Sequence, residues 1–330
     1  MPIHGKRFSW VNQSRSDSSS SSRLTRVACS FLLILGAATE VNAWNDFGHM
    51  TADAIAYEHL TPKVRTKVDA LLRLNPSYRE WVAGIAEQDK GKVAFIKAGT
   101  WPDMIKIDVR YTNDGNRPTD PDAGRNIGYA DKLMHRYWHF VDIPFSSDGT
   151  ALADPVVPNA QTQIVTFRET LKNLGVSDEL RSYDLVWLLH LVGDVHQPLH
   201  ASTRFTQKQP KGDKGGNDIT VCTTTTDCGG KLHRFWDELL GTSEDYKMAL
   251  AKAETLKSVD TALAAISDEA IWIEESFLAA KQTAYAPPIG PDEGPYSLND
   301  SYRAAAQKVA ERRIALAGIR LAHLLNTTLN

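Results

Sequence analysis

The stretch LLHLVGDVHQPLH, residues 188–200, sets the strictest condition on any fold this chain can adopt. Residues 181–196 read as an apolar helix, with the turn that ends it following. Set into it are His190 and Asp194, four apart and so on one face, and past its end, after Pro198, comes His200. An ionised aspartate among leucines and valines is costly unless it is paired or bound to a cation. The fold must bring such a partner to this helix.

A second pair at the same spacing, His233 and Asp237, lies in LHRFWDELL among Leu232, Phe235, Trp236, Leu239 and Leu240. One His/Asp pair is most simply a buried hydrogen bond. Two pairs, together with His200, His139 in YWHF, Asp103 in TWPD and His49 in FGH, match the imidazole and carboxylate sets that zinc uses. Spacing alone points to a polynuclear zinc hydrolase.

Helical periodicity runs through the rest of the chain. GHMTADAIAYEHL carries Met50, Ala54, Ile55 and Leu60 near one face, and the next helix opens with Thr61 as N-cap and Pro62 at its first position. Residues 112–131 are rich in Gly, Pro, Asn and Asp and read as loop, and RYWHFVDIPF reads as a short extended segment. Helices are expected over 158–176 and again from GKLHRFWDELL onward, including one long helix over TALAAISDEAIWIEESFLAAKQTAY. No period repeats, and no linker is long enough to separate one domain from another. The expected fold is all-α, a single helical domain with one small disulfide loop or hairpin.

Residues 1–43 do not read as domain material. A basic, serine-rich segment precedes VACSFLLILGAA, and Val41 and Ala43 stand as small residues before a cleavage point, the layout of a secretory signal with a long n-region. Its removal leaves residues 44–330, long enough for one buried core. The leader takes five of the 37 Lys/Arg and two of the 40 Asp/Glu, so the mature chain has a formal net charge of −6. That excludes wrapping of nucleic acid by charge alone but not an enzyme that grips one or two phosphates. The mature cysteines, Cys222 and Cys228, flank TTTTD, and in an exported chain read as a small disulfide loop within the Gly/Thr-rich segment 207–230. The expected location is secreted or periplasmic, with no stable membrane insertion after signal removal and no obligate protein partner.

HLVGDVHQPLH, a following Gly-Gly-Asn and LHRFWD together resemble the signature of the zinc-dependent single-strand-specific nucleases, the nuclease S-one/P-one type. The likeness extends from WNDFGH at residue 44 to AIWIEES at 270–276. It implies an all-helical domain, shared in type with bacterial zinc phospholipases C, and a cofactor of three zinc ions. By the resemblance, Asp103, His139, His190 and Asp194 hold the first ion. Asp194 bridges to a second, completed by His49 and by the α-amino group and carbonyl oxygen of Trp44, while His200, His233 and Asp237 hold the third. A peptide nitrogen is a poor ligand, so the Trp44 site requires cleavage behind Ala43.

The resemblance further implies hydrolysis of single-stranded DNA and RNA to 5′-phosphate nucleotides, with 3′-nucleotidase activity. Asp103 positions the attacking water, Asp194 orients the ion pair, and the set at His200, His233 and Asp237 faces the leaving 3′ oxygen. Lys106 matches a basic position near the scissile phosphate, where the alternative is a solvated lysine. Phe140 and Asp142, in HFVD, match positions that stack a base and accept a hydrogen bond from its edge, and Asn217 helps shape that pocket. His196, between two ligands, is expected behind the metal site or at the surface. His135 and His323 are surface or core contacts, and Trp187, Trp236 and Trp272 pack the core. Two rival readings stand beside this one: a zinc-dependent phospholipase C or broad-specificity phosphatase, and a non-catalytic exported zinc-binding protein.

Overall fold

The computed structural model describes residues 44–224, 227–256 and 259–330. The expected leader, residues 1–43, lies outside the described residues. Among the described residues the helices are α1 (Asp46–His59), α2 (Pro62–Leu72), α3 (Tyr78–Trp81), α4 (Lys90–Ala98), α5 (Trp101–Met104), α6 (Ala160–Lys172), α7 (Asp178–Asp194), α8 (Leu232–Asp237), α9 (Tyr246–Thr255), α10 (Thr261–Ala264), α11 (Glu269–Ala279) and α12 (Asp300–Thr328). Short strands are β1 (Ile143–Ser146), β2 (Ser202–Phe205), β3 (Thr220–Cys222), β4 (Gly230–Lys231) and β5 (Tyr296–Ser297). The fold is predominantly helical, as the periodicity predicts.

Helix starts follow local chemistry. Thr61 Oγ1 accepts the amide of Val64 with Pro62 at the first position of α2, and Asn159 and Thr162 form a reciprocal capping box at α6. Ser177 caps α7, which is buried at every residue from Ser182 to Asp194. Each leucine or valine so buried contributes about 1.5–3 kcal/mol. That burial holds α7 inside a core with Trp138, Trp187, Trp272 and Leu325.

α1 lies across α12 and also meets α9, α4 and α7. The α1–α12 crossing depends on Gly318, where a β-carbon would come within 2.6 Å of Ile55 Cβ and 2.7 Å of the Ala52 carbonyl. α1 brings His49 to α7, and Gly193 leaves room for it. A β-carbon at Gly193 would stand 2.8 Å from His49 Nδ1, which gives the glycine of HLVGD a steric reason.

Two local expectations are corrected. The long helix expected from Thr261 breaks into α10, α11 and a π-helical turn at Ala280–Ala284, because Asp260 and Asp268 each cap a new helix start by accepting backbone amides. The extended reading of RYWHFVDIPF holds only for β1; Arg136–His139 form a 3₁₀ turn. His135 sets that turn, with φ of 48°, its ring stacked on Trp138 at 3.5 Å and its Nε2 3.0 Å from Asp131.

The excursion after β2 forms the expected hairpin, β3 pairing antiparallel with β4 and β5 joining β3 in parallel. Cys222 and Cys228 are disulfide-bonded at its end. β1 and β2 pair in parallel, bringing the segment after His139 beside the segment after His200. Among the described residues no helix is long and apolar enough to cross a membrane.

Candidate metal centre

Three buried groups of ligand-type side chains converge: His49, His190 and Asp194; Asp103, His139 and His190; and His200, His233 and Asp237, the ligand atoms within each lying no more than 4.8 Å apart. α1 supplies His49, α5 supplies Asp103, the 3₁₀ turn supplies His139, and α7 supplies His190 and Asp194. The turn at Pro198–Ala201 supplies His200, and α8 the last pair. The side-chain ligands expected from sequence are thus brought together.

Asp194 spans two of its neighbours' sets. Its Oδ2 lies 3.1 Å from both His139 Nδ1 and His190 Nε2, and its Oδ1 lies 3.3 Å from His49 Nε2. Two oxygens facing different imidazoles are what a bridging carboxylate needs. Asp103 Oδ1 lies 3.8 Å from His139 Nδ1 and 3.7 Å from His190 Nε2.

Backbone carbonyls orient the rings. His190 Nδ1 meets the Gly99 carbonyl at 2.6 Å, His200 Nδ1 the His139 carbonyl at 2.6 Å, and His233 Nδ1 the Gly215 carbonyl at 2.7 Å. Each bond fixes the tautomer and turns Nε2 inward, the support that metal-binding histidines require. Gly215 reaches His233 through a left-handed turn, φ 61°, in which a β-carbon would strike the Leu199 carbonyl. Gln197 holds Asp237 by a 2.7 Å hydrogen bond. Sequence reading missed these carbonyls and Gln197; the Gly-Gly pair was the one available signal.

The donor set fits a cation. With Nδ1–H committed, the Nε2 lone pairs of His200 and His233 face each other at 2.9 Å. Both ring nitrogens of His49, Nε2 of His139, Oδ2 of Asp103 and Oδ1 of Asp194 are buried without a hydrogen-bond partner among the described residues. Such groups are expensive unless an ion takes them up.

At His139, His233, Asp194 and Asp103 the electrostatics favour the protonation states metal binding needs, whereas Asp237 and His190 are shifted the other way. Burial, then the charge of Lys106, brings His139 down to about 3, and burial with the neighbouring His200 does the same to His233. Burial opposes ionisation of Asp194, but His190 and the hydrogen-bonding histidines overcome it and hold the carboxyl well below the usual range. At Asp103 burial is likewise outweighed, chiefly by Lys106, giving about 2. Asp237 is pushed well above the usual range by burial, despite the hydrogen bond from Gln197, with Asp103 and Asp194 adding to the rise.

Lys106 is buried, not solvated, with Nζ 2.5 Å from Asp103 Oδ1. Trp44 is fully buried, and Asn45 pins it by donating its amide to the Asp237 carbonyl at 3.4 Å and its side chain to the Gly241 carbonyl at 2.7 Å. Phe140 is half-buried beside His139, and Asp142 is half-buried with φ of 56°. Asn217 donates its side chain to the Lys214 carbonyl at 2.8 Å, bracing the turn that carries Gly215. His196 is buried behind the site, Nδ1 on the Val192 carbonyl at 2.7 Å and Nε2 3.0 Å from Arg320. His135 is buried, His323 exposed, and Trp187, Trp236 and Trp272 are core residues.

A helical domain that buries three His/Asp groups fits a multinuclear zinc hydrolase. The profile of the S1/P1 nuclease family matches residues 44–330, and the chain belongs to that family. It is similar to endonuclease 2 of Arabidopsis thaliana, 25% identical over 309 residues covering 89% of this chain and 93% of the relative. Endonuclease 1 of the same plant is 27% identical over 316 residues, covering 89% and 90%. The protein is a zinc-dependent nuclease of single-stranded nucleic acid, with three metal-binding groups that match a trinuclear site.

Proposed function

We propose that this chain is an exported endonuclease that cleaves single-stranded DNA and RNA to products bearing 5′ phosphates and that also hydrolyses 3′-nucleotides. The observation that carries the reading is the meeting of the three buried His/Asp groups, one of whose ligands, His139, directly precedes Phe140 in the chain. In this assignment Asp103, His139, His190 and Asp194 hold one zinc, Asp194 and His49 with the Trp44 amine and carbonyl hold a second, and His200, His233 and Asp237 hold the third. Bound zinc supplies Lewis acidity and a water of lowered pKa.

The chain's own groups do the positioning. Asp103, ionised and tied to Lys106, accepts a hydrogen bond from the attacking water and aims it at phosphorus. Lys106 offsets charge on the phosphoryl oxygens. Phe140 stacks on the base, a contact tolerant of base identity that only an unpaired base can reach. Burial and the charge of Asp213, partly offset by Arg117, push Asp142 up to about 8. Its carboxyl therefore can donate as well as accept a hydrogen bond at a base edge near neutral pH.

Export belongs to the same proposal. Residues 1–43 act as the leader, the mature domain is 44–330 and its destination is the periplasm or the medium. Cleavage behind Ala43 frees the amine that the second site needs, which makes signal removal an activation step. Assay of single-stranded DNA, 3′-AMP and phosphatidylcholine on one preparation tests the reading. Hydrolysis of the first two supports it, whereas phosphatidylcholine as the sole substrate assigns the site to a phospholipase, and zinc binding without hydrolysis assigns it to storage.

A further inference from the structure

Asp53 is a fully buried carboxyl that belongs to none of the three ligand groups. It stands on α1 four residues after His49, and neither of its oxygens makes a well-formed hydrogen bond among the described residues. Burial pushes it well above the usual carboxylate range, and the Gly99 backbone pulls the other way. A polar group so placed is destabilising in itself. Its neighbour gives it a use.

Asp53 packs on Gly99, the residue that ends α4. A β-carbon at Gly99 would overlap Asp53 Oδ2 and come within 3.0 Å of its Cγ, so the carboxyl fills the space that another residue's side chain would need. The Gly99 carbonyl is the one that meets His190 Nδ1 at 2.6 Å. Beyond Gly99 the chain turns at once into α5, the Thr100 amide donating to the Lys97 carbonyl at 3.1 Å and the Asp103 amide to the Thr100 carbonyl at 3.2 Å. One residue thus joins Asp53 to two ligands, to His190 by its carbonyl and to Asp103 by the turn that follows.

We propose that Asp53 is a positioning residue for the zinc centre: packed on Gly99, it fixes the peptide whose carbonyl orients His190 and from which the Asp103 turn departs. The inference rests on the ligand assignment proposed above. Groups behind metal ligands change affinity by about 10–100-fold, because they hold the ligand ready in the orientation the ion needs. Asp53 acts through its shape, so its effect is on the ion.

The test is zinc affinity, measured by titrating the metal-stripped protein against a chelating dye. Asp53→Ala should weaken at least one bound ion about tenfold or more, while Asp53→Asn, which keeps the planar shape, should stay within about twofold of wild type. Gly99→Ala should also weaken binding, because its β-carbon and the carboxyl cannot share one space. The Gly99→Ala/Asp53→Ala double variant should bind more tightly than Gly99→Ala, the new methyl taking up the space the carboxyl leaves. A lowered Tm in Asp53→Ala with zinc affinity within about twofold of wild type would overturn the proposal and leave Asp53 a core residue only. So would a double variant in which the two losses multiply. Should Gly99→Ala not fold, Asp53→Ala against Asp53→Asn decides, and equal affinities overturn the proposal. His190→Ala is the control: unchanged zinc binding there would overturn the ligand assignment itself, and this inference with it.

Discussion

His200 and His233 aim Nε2 at one another across 2.9 Å while each commits its other ring nitrogen to a backbone carbonyl. That arrangement is unfavourable without a cation and favourable around one. Chelation should therefore lower the melting temperature, and zinc should restore it. A ligand held at a thousand times its dissociation constant stabilises by about 4 kcal/mol, which corresponds to a fall of several degrees on stripping. An unchanged Tm after verified removal of the metal would contradict the fit of these side chains to an ion.

Asp194 touches three histidines with two oxygens. Outer-shell partners of metal ligands are worth about 10–100-fold, so Asp194→Asn, which removes the carboxylate proposed to bridge, should cost at least about 100-fold in kcat/KM. Circular dichroism in excess zinc should keep its helical signal. Near-normal hydrolysis by this variant would remove Asp194 from the bridge.

Asp184 sits on α7 with both oxygens on the Asn126 amide, and burial pushes it up to about 8 despite hydrogen bonds from Asn126 and Thr170. Its folded pKa is raised, so its contribution to stability is fully present below about 4, the unfolded value, and is lost as pH rises through about 8. Asp184→Asn should gain on wild type between pH 5 and 8, by a few degrees of Tm at the upper end. Tm measured in parallel across that range checks the sign. A variant advantage that shrinks as pH rises would show the carboxylate to be ionised in the folded state.

Glu275 accepts from Arg313 at 2.6 Å and from Arg320 at 2.7 and 2.9 Å, and both guanidinium groups are buried. The same arginines hold the His196 carbonyl and ring, so this network backs the turn between Asp194 and His200. Glu275→Gln leaves two buried cations short of their counter-charge and should cost on the order of 3 kcal/mol. Denaturant midpoints with an unchanged m-value would measure it.

Much of the metal centre was legible because its ligands sit at helical spacing among apolar residues where charge is out of place. The i,i+4 pairs His190/Asp194 and His233/Asp237 both proved buried and on one face. What stayed hidden lies in the backbone and in burial. The carbonyls of Gly99, His139 and Gly215 that orient the imidazoles have no side-chain signature, and nothing in WPDMIK tells that Lys106 is buried against Asp103. The His135 left-handed turn was hidden for a related reason, since its partner Asp131 stands at the end of the Gly- and Asp-rich loop. In the fold, the long apolar and alanine-rich run from 261 concealed the capping role of Asp268.

The most direct test of the trinuclear account is elemental analysis of zinc per chain on protein whose N-terminus has been sequenced, with single-stranded DNA and 3′-AMP assayed on the same sample. The account predicts three zinc ions on a chain beginning at Trp44, and both activities. Full activity in a chain with a blocked or different N-terminus, or with no tightly bound zinc, would contradict it.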